Sequence, residues 1–165
     1  KDKVALDIGA STGGFTDCLL QRGARKVYAI DVGYRQLAWK IRQDPRVGSL
    51  ERRNIRYLDA KEVDEKADLA VVDISFISLT KTLTKVTELI REKGYIIALI
   101  KPQFEVEKGG VGKGGIVKDP EKHRQVIEKI KGFASLNNLK VLGLIESPIL
   151  GADGNKEFLI YLAKS

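Results

Sequence analysis

The sequence predicts an α/β fold: a Rossmann-like domain with a seven-stranded, mostly parallel sheet and an antiparallel edge strand. Three observations predict it. Apolar runs of strand length alternate along the chain with segments of helical period. Most of these runs are continuously apolar instead of alternating, as parallel strands covered on both faces require. The first run ends at Ile8, breaks into the glycine-rich turn Gly9–Gly14 and feeds an amphipathic stretch, Phe15–Arg22. That reads as a strand, a tight loop that lets backbone approach a ligand, and a helix whose N-terminus faces it.

Taken in order, Val4–Ile8 is the first strand and Lys26–Asp31 the second, with a weak third near Gly48–Arg52. Leu69–Ile74 and Tyr95–Ile100 follow as the fourth and fifth. Between these two, Leu83, Val86 and Ile90 share one face of a helix expected over Thr80–Arg91, entered at Ser78. Asp119-Pro120-Glu121 is a helix start: a capping Asp, Pro at the first position, then an acid. Val126, Ile127, Ile130 and Phe133 carry its period, and Gly132 weakens that helix without ending it. The runs Val141–Glu146 and Phe158–Leu162 are joined by Ser147–Lys156, which has no space for a helix. An antiparallel hairpin at the sheet edge is the expected result. No repeat, linker or low-complexity tract divides residues 1–165, so one domain is expected.

The 165 residues are 43% hydrophobic and 31% charged, the balance of a globular protein with a real core. Lys and Arg outnumber Asp and Glu by 29 to 22, and the net charge of +7 favours an anionic partner such as nucleic acid. The basic cluster Arg35, Lys40, Arg42, Arg46, Arg52, Arg53 and Arg56 is a candidate RNA-backbone track or an ordinary solvated face. The single cysteine, Cys18, excludes an internal disulfide, fits a reducing cytoplasm and is expected to pack in the first helix. No apolar run approaches the roughly 20 residues that cross a bilayer. The absence of Met leads us to expect a piece of a longer chain.

The glycine turn decides the ligand class. A dinucleotide loop needs Gly-x-Gly-x-x-Gly, but Ser11 stands at the second glycine of Gly9-Ala10-Ser11-Thr12-Gly13-Gly14, where a pyrophosphate requires close backbone approach. Asp31, ending the second strand, can take both hydroxyls of a ribose. The pair points to an adenosine ligand without a pyrophosphate, which S-adenosylmethionine satisfies, and Asp7 can face its cationic methionyl end. Asn54 and Ile55 stand where an adenine contact belongs. The candidate donor site is therefore Asp7, Gly9, Ala10, Ser11, Thr12, Gly13, Gly14, Phe15, Asp31, Val32, Asn54 and Ile55.

Asp73 ends the fourth strand and should point into the same crevice. Lys101 ends the fifth strand before Pro102, where partial desolvation would lower its pKa toward the range useful for proton transfer. Glu157, at the start of the final strand, lies beside the same edge. Gly109–Gly115 looks faintly like a phosphate loop, but Gly follows Lys113 and no strand closely precedes it. A mobile loop that touches RNA through Lys108, Lys113 or Lys118 is the better expectation. His123, alone on a helix, reads as a surface residue.

The segments 7–17, Asp31–Trp39, Asp73–Leu79 and Lys101–Glu105 together resemble TlyA, the haemolysin-A-type ribosomal RNA methyltransferases of the FtsJ-like class, over essentially the whole chain. The resemblance implies a class I methyltransferase fold, S-adenosylmethionine as donor, transfer to a ribose 2′-hydroxyl of ribosomal RNA or ribosomal subunits, and no metal. It also implies a catalytic Lys-Asp-Lys-Glu set, of which Asp73, Lys101 and Glu157 match the last three. The family's first catalytic lysine, in a Lys-Leu-x-x-Ala-Leu segment, and its small N-terminal S4-type RNA-binding domain match nothing in this sequence. Impaired transfer is therefore expected. Two other classes compete. A nicotinamide-dependent oxidoreductase is opposed by Ser11, and a membrane lysin, suggested by the family's older name, finds no amphipathic basic segment.

Overall fold

The parallel strands that hold the candidate residues sit at the centre of one sheet. The computed structural model describes all residues, Lys1–Ser165. The strands are β1 (Val4–Ile8), β2 (Lys26–Ile30), β3 (Val47–Leu50), β4 (Ala67–Val72), β5 (Ile90–Ile100), β6 (Leu139–Glu146) and β7 (Phe158–Lys164). The helices are α1 (Gly14–Gln21), α2 (Trp39–Arg42), α3 (Leu83–Leu89), α4 (Pro102–Glu105) and α5 (Pro120–Leu136). The sheet order is β3-β2-β1-β4-β5-β7-β6, and β1 to β5 are mutually parallel.

The antiparallel strand is β7, and it lies one strand in from the edge. It pairs antiparallel with β5 on one side and with β6 on the other. The α5 crossover thus carries the chain past an open position to β6, and the hairpin returns β7 to fill it.

The reversal of order at β1 and β4 opens a crevice outside the carboxyl ends of the strands. All five residues of β1 are buried, which explains why four of them are apolar without alternation and places Asp7 in the interior. On one face α3 and α5 pack Leu83, Val86, Leu89, Val126 and Ile130 against Leu6, Ile96 and Ile160. On the other, Leu20 and Ala24, at and just after the end of α1, close over Ala5 and Val27. Capping follows the sequence: Asp119 accepts from the Glu121 amide and Ser78 from the Thr80 amide.

Two expectations change. The helix expected over Thr80–Arg91 is a short 3-10 turn, Leu79–Lys81, followed by α3, and Ile90 belongs to β5. Ile90 is fully buried and pairs with Ala67, after which Lys93 takes φ 60° so that Tyr95 can resume pairing with Leu69. Gly94 is required there, because a Cβ would stand 2.9 Å from the Arg91 carbonyl oxygen. Cys18, expected inside, is exposed: α1 buries Thr16 and Leu20 and turns Cys18 outward.

Candidate active site

The crevice is set by one close approach. Gly9, at the end of β1, has φ +86°, and a Cβ on it would collide with the Asp73 carbonyl oxygen. The Asp73 amide donates to the Ile8 carbonyl at 2.8 Å, and the Gly9 amide donates to the Ile30 carbonyl at 2.9 Å. The ends of β1, β2 and β4 are thereby drawn together, and with them three carboxylates: Asp7, Asp31 and Asp73.

Asp7 is fully buried. Its Oδ2 accepts from the Thr16 hydroxyl at 2.6 Å, whereas Oδ1 has no partner. Burial pushes its pKa up to about 6; the Thr16 hydrogen bonds pull it back, and the nearby charges of Asp73 and Asp31 add to the rise. Asp31 accepts through Oδ2 from the Ser11 amide at 2.8 Å and through Oδ1 from the Gly33 amide at 2.7 Å, which fixes the carboxylate at the loop.

A cavity of about 500 Å³ opens in front, with Gly9, Ser11, Asp31, Val32, Asn54, Ile55 and Asp73 in its wall. Asn54 also caps a turn, its Oδ1 accepting from the Arg56 amide at 3.1 Å, which leaves its Nδ2 without an internal partner. The structure does not bring the remaining loop residues to this wall. Asp7 lies behind it. Ala10 packs against Ala29 and Leu37. The Thr12 carbonyl accepts from the Ala38 amide at 3.0 Å, and Gly13, Gly14 and Phe15 lead into α1. Gly13 answers a packing demand: it has φ +100°, and a Cβ would press on Leu37 and Ile41.

Lys101 follows β5, and 13% of its side chain is exposed. Its Nζ lies 2.6 Å from Asp73 Oδ1 as an ion pair, but off the hydrogen-bonding angle, so that oxygen lacks a hydrogen-bond donor. The same Nζ donates to Ser75 Oγ at 3.1 Å. Glu157 is placed opposite by the pairing of Ile100 with Phe158, yet it does not join this pair. It is buried, and its Oε1 accepts from Gln103 Nε2 at 2.9 Å.

Four participants had no individual role in the sequence reading. Phe76 is 89% exposed on the cavity wall, sits at φ 63° and packs against Phe104 with ring centroids 4.9 Å apart. Such strain in an aromatic residue persists only where surrounding contacts enforce it. Gln103 holds Glu157, and Glu105 is buried against Ser78 and Leu79. Their place directly after Lys101-Pro102 was the available signal for Gln103, Phe104 and Glu105; no sequence pattern announces left-handed backbone at a phenylalanine.

Three buried side-chain oxygens in the protein lack a hydrogen-bond partner: Asp7 Oδ1, Asp73 Oδ1 and Gln103 Oε1. All three follow the carboxyl ends of β1, β4 and β5 or occupy them. Buried acceptors are normally satisfied, so these three single out this end of the sheet as the candidate ligand site, although Asp73 Oδ1 already faces the Lys101 ammonium. Three clustered carboxylates also oppose a pyrophosphate.

Elsewhere the expectations divide. His123 is buried, not on the surface, with Nε2 2.7 Å from the Val117 carbonyl oxygen and its ring edge-on to Phe158. In the basic cluster Arg42, Arg46 and Arg53 pair with Glu51, Asp44 and Glu62. Arg35, Lys40, Arg52 and Arg56 make no ion pair, and Arg35 and Arg52 lie over the exposed ring of Tyr34. The Gly109–Gly115 stretch is tied down by Asn155, which accepts from the Val117 amide and donates to the Gly115 carbonyl.

The model of the FtsJ-like methyltransferase family matches residues 1–164. YqxC of Bacillus subtilis, described as a candidate rRNA methyltransferase, is 48% identical over 98% of this chain and 58% of its own length. The 16S/23S rRNA (cytidine-2′-O)-methyltransferase TlyA of Mycobacterium tuberculosis is 46% identical over 95% of this chain and 59% of its own. A solved structure from Streptococcus thermophilus, described as a candidate hemolysin, superposes with a TM-score of 0.97 at 45% identity, covering 100% of this chain and 60% of that one. The chain thus spans somewhat under two thirds of the length of each. No helix is long and apolar enough to cross a membrane.

Two consequences can be measured. Gly9→Ala forces a Cβ into left-handed backbone and against the Asp73 carbonyl; a loss of about 2 kcal/mol or more in urea unfolding is expected, and a loss below about 0.5 kcal/mol would contradict the close approach. Asp7 binds its proton more tightly folded than unfolded, so its ionisation weakens the fold as pH rises from near 4 to near 6. Asp7→Asn removes that penalty. Its stability gain over the parent should widen by about 1.4 kcal/mol, one pKa unit's worth, between pH 5 and pH 7.5; a pH-independent difference would remove Asp7 from the account.

Proposed function

The family match covers all but the last residue, so the chain belongs to the FtsJ-like methyltransferase family, and from that membership we propose that it uses S-adenosylmethionine to methylate a ribose 2′-hydroxyl of ribosomal RNA. The observation that carries the proposal is the set of buried oxygens at one end of the sheet, where Asp7 Oδ1 and Gln103 Oε1 have no partner and Asp73 Oδ1 has only the Lys101 ion pair. A ligand with an ammonium group, a sulfonium and ribose hydroxyls suits that cluster, and a substrate hydroxyl suits Asp73.

The residues present fit the donor. Asp31 retains acceptor capacity for ribose hydroxyls beyond its two amide bonds. Val32 and Ile55 offer apolar surface for an adenine, and Asn54 Nδ2 is a free donor beside them. Asp7 supplies negative charge behind the loop for the methionyl end. The bound donor supplies an already activated methyl group.

The remaining chemistry belongs to this chain. A ribose hydroxyl is a poor nucleophile until its hydrogen is held or removed. Asp73 is the acceptor for that hydrogen, and Lys101, held between Asp73 and Ser75, is the cation that stabilises charge as it develops on the oxygen. Glu157 and Gln103 form the adjoining wall. The exposed ring of Phe76 offers a flat surface to the incoming nucleotide, and holding the hydroxyl in line with the donor contributes much of the rate. Arg35, Lys40, Arg52 and Arg56, free of carboxylate partners, suit an RNA backbone.

The test is incubation with labelled donor and ribosomal subunits, with the label mapped to base or ribose. Ribose label is expected, and Lys101→Met should lower transfer by about 100-fold or more while donor affinity stays within about threefold. Label on a base, or normal turnover by the variant, would overturn the proposal.

A further inference from the structure

The segment Lys101–Glu105 touches the segment Asp73–Leu79 at both ends and in the middle. At one end Lys101 pairs with Asp73. In the middle Phe104 packs on Phe76. At the other end Glu105, whose side chain is 2% exposed, accepts from Ser78 Oγ at 2.6 Å and from the Leu79 amide at 2.7 Å. The two segments and their contacts form a closed ring of chain, and Glu105 is the clasp opposite the Lys101–Asp73 pair.

We infer that Glu105 is a positioning residue that sets the Lys101–Asp73 geometry across this ring. The inference rests on the proposed methyl transfer for its catalytic consequence, though not for its structural content. Three features favour positioning over simple core support. First, Glu105 binds a backbone amide and a side chain of the loop that starts at Asp73, and it occupies the last turn of the helix that starts beside Lys101. Second, that loop is held in a strained state at Phe76, which relaxes if its far end is released. Third, a lysine side chain has high rotameric freedom, so its Nζ is placed only as well as its backbone is. The Glu105 ion pair with Lys129, at 3.2 Å on α5, is more exposed and ties the clasp to the outer helix without touching the loop.

The chemistry of Glu105 suits this task. A buried carboxylate can take a hydroxyl and an amide together through separate oxygens, as Oε2 and Oε1 do here. A glutamine retains one carbonyl acceptor for the Leu79 amide and an amide group that can donate to Ser78 Oγ. Alanine retains neither. Lys129→Met removes the outer cation and leaves both loop bonds.

The experiment compares Glu105→Ala, Glu105→Gln and Lys129→Met with the parent, each checked for folding by circular dichroism. Donor affinity is measured by calorimetry, kcat and KM by label transfer to ribosomal subunits, and order at Lys101 Cε by NMR relaxation. Glu105→Ala should lower kcat by about 100-fold, as a misplacement of about 1 Å at the reacting groups does, with donor affinity within about threefold and loss of order at Lys101 Cε. Glu105→Gln should stay within about fivefold of the parent kcat and keep that order, and Lys129→Met should match the parent in both. Parent kcat in a folded Glu105→Ala protein, unchanged order at Lys101, or an equal fall in kcat for Lys129→Met would overturn the inference. If the parent itself transfers no label, the proposed function fails, and the order at Lys101 still decides whether Glu105 is the clasp.

Discussion

Everything in the site depends on the contact between Gly9 and the Asp73 carbonyl. A side chain at Gly9 would push the ends of β1 and β4 apart, and the crevice would lose its floor. Because the two meet, Asp7, Asp31 and Asp73 converge on one small region. The cost is visible at Asp7, whose burial beside two like charges makes its ionised form unfavourable. The buried side-chain oxygens without a hydrogen-bond partner all lie at this end of the sheet, as expected of a site kept for a ligand.

The charges of the molecule are divided by task. The chain carries +7 overall, and the cavity wall sets Asp31 and Asp73 beside Arg53 and Arg56. The two carboxylates suit a cationic methyl donor. Of the basic residues without carboxylate partners, Arg56 lines the cavity, whereas Arg35, Lys40 and Arg52 stand outside its wall, where they can hold a polyanion. Lys101 is the cation that Asp73 meets directly. The short helix α4 then links the parts. Its Gln103 reaches Glu157, its Phe104 reaches Phe76, and its Glu105 reaches the far end of the Asp73 loop.

Much of the fold was legible because parallel strands buried on both faces leave continuous apolar runs. The first, second, fourth and fifth strands were visible in this way, the third only weakly near Gly48–Arg52, and the closing hairpin from the short connection between two apolar runs; the Asp119-Pro120 start of α5 followed from capping chemistry. The boundary at Ile90 was not legible: an apolar residue there satisfies both a helix face and a strand, and only the pairing with Ala67 decides. In the site, Gly9, Ser11, Asp31, Asn54, Ile55, Asp73 and Lys101 could be read from their places at strand ends. Gly13 could not be separated from them, since a glycine needed for packing on Leu37 looks the same in sequence as one needed for a ligand. His123 and Cys18 went the other way. One is buried against the Val117 carbonyl, just before its helix, and the ring of Phe158, and the other is turned outward on α1.

The central claim is that this crevice is built for S-adenosylmethionine. Titration calorimetry of the protein with S-adenosylmethionine, and in parallel with NADH, tests it most directly. The account predicts one-to-one binding of S-adenosylmethionine and no measurable heat with NADH. Binding of NADH with no response to S-adenosylmethionine would contradict it.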